Sequence, residues 1–169
     1  MDTVVFDNKD FLVNFLYKLL DNPTQIKVQK TLYLLFAFYG ATYGNLENNQ
    51  DEQNDFSEQT YPKELFRANF EAWRYGPVET DVYANEKIGL YSGEELDNEA
   101  IDVFFNTSEL KNVKDFIENI VEQTNQIDDF SLVDRTHQDN VWLDVYKEGE
   151  NHIPMDNKEI IQEYINRYV

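Results

Sequence analysis

The chain has no cysteine. Disulfide stapling, thiolate nucleophiles and cysteine-held metals are therefore outside its chemistry, and its stability must come from packing. Glycine and proline are scarce, with six and four residues, which disfavours a turn-rich β fold and favours long regular elements. Two histidines are too few for the N/S donor set of a zinc centre. No apolar run approaches the roughly 18 residues that would cross a bilayer. The acidic start MDTVVFDNKD lacks the basic region of a secretory signal. Cytoplasmic residence is the expectation.

Positive charge is also in short supply. Fourteen Lys and Arg face 33 Asp and Glu, a net charge of −19, and the bases are scattered. Neutralising phosphates needs grouped cations, so direct contact with nucleic acid or an anionic membrane is not expected. Solubility is one use for such a charge; attraction to a basic protein partner is the other.

What is present is a core. Apolar residues make up 41% of 169 positions and aromatics 15%, enough for one folded domain. Helix 1 is predicted over 8–21, with Phe11, Leu12, Phe15, Leu16, Leu19 and Leu20 on one stripe and Asp7 or Asn8 as cap. Helix 2, over 25–43, is apolar almost all round from Leu32 to Tyr39, which places it at the centre of the fold. Its polar end, Lys27, Gln29 and Lys30, is expected near the surface.

Residues 45–60 read as a long acidic loop with almost no apolar content and with Phe56 as an apolar anchor. Tyr75-Gly76-Pro77 reads as a turn, with Pro77 opening a helix that ends at Gly89. Residues 92–102 form a second acidic stretch. Asn106 and Glu109 have capping-box spacing ahead of a helix over 108–124. Short helices follow over 130–137 and 141–147, and a last helix over 157–168 carries Ile160, Ile161, Tyr164, Ile165 and Tyr168 on one face. The fold class is mainly α: a compact single-domain helical bundle around a central buried helix, with room for a short two-stranded β element near 65–76.

No motif points to catalysis. Ser108 and Lys111 fit S-x-x-K, but the companion motifs are missing. Asp134 and His137 stand three apart on one face, without the further ligands a metal needs. The expectation is a protein with no enzymatic activity, no cofactor and no metal. The candidate partner-binding residues are acidic: Glu47, Asp51, Glu52, Asp55 and Glu58 with Phe56, then Glu79 and Asp81. Trp73, Tyr75, Gly76, Pro77 and Tyr83 read first as a packing corner shaped by Gly and Pro, and second as an aromatic recognition patch.

Three stretches carry a resemblance. Lys27-Val28-Gln29-Lys30 before Leu32-Tyr33 is similar to a K-L-Q-K-L-L-Y pattern. Ala72-Trp73-Arg74-Tyr75-Gly76-Pro77-Val78 with Tyr83 is similar to A-W-x-Y-G-P-V…V-Y. Thr136-His137 with Trp142 is similar to T-H…P-W, and Tyr164-Ile165 to a final Y-F. Over about 25–165 the chain resembles the Panacea domain family, also called SocA-like or GepA-like. Val141 departs from the pattern's proline, and the 45–60 loop is longer and more acidic than is usual there. The resemblance implies a mainly α, phage-associated antitoxin that neutralises a cognate toxin by direct contact. One branch of the family instead acts as an adaptor that delivers its toxin to a protease. It brings no catalytic residue. The charge leaves open another reading, a phage-encoded inhibitor of a host defence protein, including an acidic nucleic-acid mimic.

Overall fold

The structure, a computed structural model, describes residues 3–46, 60–150 and 152–169. Among them are eight α-helices and five short strands. β1 (Val4–Phe6) precedes α1 (Lys9–Leu19) and α2 (Gln25–Ala41). β2 (Glu64–Phe66), β3 (Phe70–Trp73) and β4 (Gly76–Glu79) follow. Then come α3 (Thr80–Lys87), α4 (Asn98–Phe104), α5 (Ser108–Asn125), α6 (Asp129–Thr136) and α7 (Asn140–Leu143). β5 (Ile153–Pro154) and α8 (Asn157–Tyr168) close the chain. The fold is mainly helical, as the periodicity implies, and the candidate loop residues Glu47, Asp51, Glu52, Asp55, Phe56 and Glu58 lie outside the described residues.

α2 is the central helix. Thr24 caps it by accepting from the Lys27 N–H, and it packs against α8, β4, β2, α5 and α6. Val28, Leu32, Leu35, Phe36, Ala37 and Tyr39 are fully buried. Gly40 belongs to this packing: a Cβ there would stand 2.5 Å from Ile161 Cδ1, so the missing side chain lets α8 approach. Around α2, rings cluster edge to face. Phe36 meets Phe66 and Phe70, each at 5.4 Å between centroids, and Tyr33 meets Phe70 at 5.4 Å.

The sheets are small. β1 and β2 pair in parallel, with Phe6 opposite Phe66. β3 lies between β4 and β5, antiparallel to both. The strand content exceeds the single two-stranded piece expected near 65–76.

Three local expectations are corrected, and the acidic stretch at 92–102 holds a helix start that the sequence reading did not assign. Pro77 lies inside β4, and α3 begins at Thr80, because the Glu79 carboxylate accepts from Asp81 N at 2.8 Å and Val82 N at 3.2 Å and so caps that helix. α5 is capped by Thr107, whose hydroxyl accepts from Leu110 N at 3.1 Å; Asn106 does not cap it. The acidic stretch at 92–102 holds the start of α4, capped by Asp97, with Leu96 and Ile101 buried against the core. The polar end of α2 is interior: Lys27, Gln29 and Lys30 are all buried.

Candidate functional site

The three signature stretches converge on one corner, the turn between β3 and β4. Trp73 pairs with Gly76, leaving Arg74 and Tyr75 as the turn. Both keep ordinary negative φ, and Gly76 takes φ +104°. A turn with negative φ splays antiparallel strands, and a residue with positive φ after it restores the pairing. Space also requires glycine: a Cβ at Gly76 would lie 2.5 Å from Thr136 Oγ1 and 3.2 Å from Lys30 Cε.

The late signature residues grip this turn by its carbonyls. Trp142 Nε1 donates to the Trp73 carbonyl at 2.8 Å. His137 Nε2 lies 2.9 Å from the Arg74 carbonyl, and since a carbonyl only accepts, Nε2 carries the proton. The His137 ring stacks on Trp142 at 4.1 Å, and Trp142 stacks on Tyr146 at 4.7 Å. Trp73 packs edge-on against Tyr83 at 4.7 Å and His152 at 4.8 Å. Its indole N–H donates to Glu71, whose carboxylate also meets His152 Nδ1. Tyr75 is left 53% exposed with the Arg74 guanidinium over its ring.

The early signature residues work from α2. Lys27 Nζ donates to the Thr124 and Ile127 carbonyls, placing a cation at the C-terminal end of α5, where helix carbonyls are unsatisfied. Gln29 embraces the Glu79 backbone, accepting from its N–H at 2.8 Å and donating to its carbonyl at 3.2 Å. Lys30 Nζ donates to the Pro77 carbonyl at 3.0 Å. Backbone groups from distant segments thus offset part of the desolvation of these polar side chains.

Two buried carboxylates complete the frame. Asp139 accepts from the Tyr33 and Tyr164 hydroxyls, each at 2.6 Å, and pairs with Arg135 at 2.9 Å. Burial first, and then the Asp139 charge, holds the Tyr164 hydroxyl well above the usual tyrosine range. Because Asp139 is spent there, the first N–H groups of α7 are capped from α8, by the Glu163 carboxylate at 2.9 and 2.7 Å. Glu79 meets Lys9 Nζ at 2.7 Å and the Asn69 N–H at 2.9 Å besides capping α3. It is fully enclosed, so this candidate is withdrawn from the solvent-facing acidic surface. Asp81, half-exposed, pairs with the same Lys9 at 2.6 Å, which holds its carboxyl below the usual range.

Sequence reasoning did not single out Asp139, Lys9 or Glu163. Asp139 lay within the Thr136–Trp142 stretch, beside a tyrosine-rich helix; Lys9 and Glu163 gave no local signal. Among the described residues, no group of three or more His, Asp or Glu side chains is placed to hold a metal ion.

No curated protein and no solved structure matches the chain. The family model of the antitoxin SocA-like Panacea domain does, over residues 52–143, a span that takes in the β3–β4 corner and the His137–Trp142 grip. The Lys27–Tyr33 stretch precedes that span and docks onto it through Pro77 and Glu79. The chain belongs to the SocA-like antitoxin family that carries the Panacea domain.

Proposed function

We propose that this protein is a cytoplasmic antitoxin that neutralises a basic protein toxin by direct contact, without catalysis of its own. Family membership carries the reading. The charge of −19 supports the basic partner, since complementary fields steer encounter and raise association rates. The polar signature side chains support a scaffold role: they are committed to backbone groups around the corner. The acids Glu47, Asp51, Glu52, Asp55 and Glu58 are the proposed steering charges, with Phe56 among them as a contact.

The test is binding of the purified chain to the product of the adjacent gene, followed by surface plasmon resonance across a salt series. Exposed charges are screened within about 8–10 Å near physiological ionic strength, so association slows as salt rises. Replacing Glu47, Asp51, Glu52, Asp55 and Glu58 together by Gln slows association further and leaves the melting temperature in place. A rate that ignores both salt and these substitutions removes the steering role. Failure of the adjacent product to bind, with binding instead to a nuclease of a host defence system, supports the second reading. In that reading, which the same charge favours, the chain mimics a nucleic acid.

A further inference from the structure

The N-terminal half of α2 buries two lysines in different ways. Lys27 has two carbonyls at a helix end. Among the described residues, Lys30 has the Pro77 carbonyl alone as hydrogen-bond acceptor and takes part in none of the ion pairs. It is nonetheless 2% exposed. The carboxylate that acts on it belongs to Glu86 on α3, itself half-buried. Glu86 is held by Gln29 Nε2 at 3.0 Å and the Tyr17 hydroxyl at 3.2 Å. Gln29 is the same side chain that embraces the Glu79 backbone. The cluster therefore sits on the bonds that fix β4, the strand leaving the Arg74–Tyr75 turn, to α2.

The groups around the pair are few. Tyr17 comes from α1, Gln29 from α2, and the Pro77 carbonyl from β4. Thr136 comes from α6, His137 follows it and is held on the Arg74 carbonyl, and Tyr91 follows α3. Other nearby charges are engaged: Glu79 with Lys9, Asp10 with Tyr91, and Lys87 over the Tyr83 ring. Burial lowers the Lys30 pKa to about 7 against the attraction of Glu86. Burial raises the Glu86 pKa to about 7 against its bonds from Gln29 and Tyr17 and the Lys30 charge.

We propose that Lys30 and Glu86 form a protonation-sensitive latch on β4, loosest when both are charged and tighter when either is neutral. The inference goes beyond the antitoxin reading and does not rest on it. Its sign follows from linkage. Glu86 has a folded pKa above its ordinary 4.5, so its contribution is whole below that value and lost as pH rises through about 7. Lys30 has a folded pKa below its ordinary 10.5, so its contribution is whole above that value and lost as pH falls through about 7. The two losses meet near neutrality, where neither contribution is whole.

Hydrogen–deuterium exchange of peptides covering 74–82, corrected for intrinsic rates, tests this on the purified chain. Protection should pass through a minimum near pH 7, with exchange at least about tenfold slower at about pH 5 and about pH 9, the equivalent of one pKa unit. Glu86→Gln should flatten the acid limb and Lys30→Met the alkaline limb. A native profile without the minimum overturns the proposal, as does an unchanged acid limb in Glu86→Gln. If Lys30→Met does not fold, NMR of lysine Cε in the native protein decides: one lysine should titrate near neutrality, and its absence overturns the proposal.

Discussion

Replacing Asp139 by Ala tests whether the fold depends on its buried polar frame. The carboxylate is fully enclosed and serves three donors: the Tyr33 and Tyr164 hydroxyls at 2.6 Å and Arg135 at 2.9 Å. Breaking a buried charge pair from one side costs about 3–5 kcal/mol, because the partner charge stays behind. Here Arg135 is 28% exposed and can turn toward water, which places the ionic share at the low end. The two hydroxyls have no such escape, since Tyr33 and Tyr164 are fully buried, and each unsatisfied group adds about 1–3 kcal/mol. Water entering the vacated volume returns part of that. A loss of about 4–6 kcal/mol is expected, a large part of the ~5–15 kcal/mol that a domain possesses. With a urea slope of about 2 kcal/mol per molar, the unfolding midpoint falls by about 2–3 M. Asp139→Asn keeps an acceptor and should lose about half as much. Tyr33→Phe removes one hydrogen bond without orphaning a charge and should cost about 0.5–1.5 kcal/mol. A midpoint shift in Asp139→Ala no larger than that of Tyr33→Phe would refute the reasoning, because the carboxylate would then carry no more than one ordinary hydrogen bond.

Leu35→Ala removes a fully buried side chain from the central helix and should cost about 2–5 kcal/mol by chemical denaturation, with a value under 1 kcal/mol contradicting the central position of α2. Lys27→Met keeps the aliphatic stem and removes the cation from the Thr124 and Ile127 carbonyls; an unfolding loss of about 1–3 kcal/mol is expected, with faster exchange confined at first to the C-terminal turn of α5.

The long helices were legible because their apolar periodicity is strong. α1, α2, α5 and α8 are found where Leu12, Leu35, Ile117 and Tyr164 place them. β1 and β5 were not, because three and two residues are too short to show a period. The burial of Lys27, Gln29 and Lys30 was hidden for a different reason. Their acceptors are backbone carbonyls 47 to 100 residues away, and a carbonyl leaves no mark on the sequence. Glu79 misled in the same direction: a glutamate in an acidic run reads as solvated, and only its three backbone donors and Lys9 draw it inside. α4 carried a readable signal in Asp97 followed by Ile101, Phe104 and Phe105, but the acid density of 92–102 outweighed it.

The corner at Gly76 shows what the family signature encodes. Its glycine is fixed three times over: by φ +104°, by Thr136 Oγ1 at 2.5 Å from the absent Cβ, and by Lys30 Cε at 3.2 Å. Gly76→Val meets all three constraints at once. A β-branched residue with positive φ costs about 1–3 kcal/mol, and overpacking against Thr136 adds about 1–3 kcal/mol. Gly76→Ala in a Thr136→Ala background separates the two, since the double change relieves the clash and leaves the backbone strain; recovery of about 1 kcal/mol or more over the sum of the single variants is expected. The variants should lose stability before they lose partner binding. The signature residues hold the turn by its carbonyls and turn their own polar groups inward, leaving only Arg74 and Tyr75 at the tip. If Gly76→Val keeps the melting temperature of the native chain and no longer binds its partner, the corner is a recognition surface and the structural account of the signature fails.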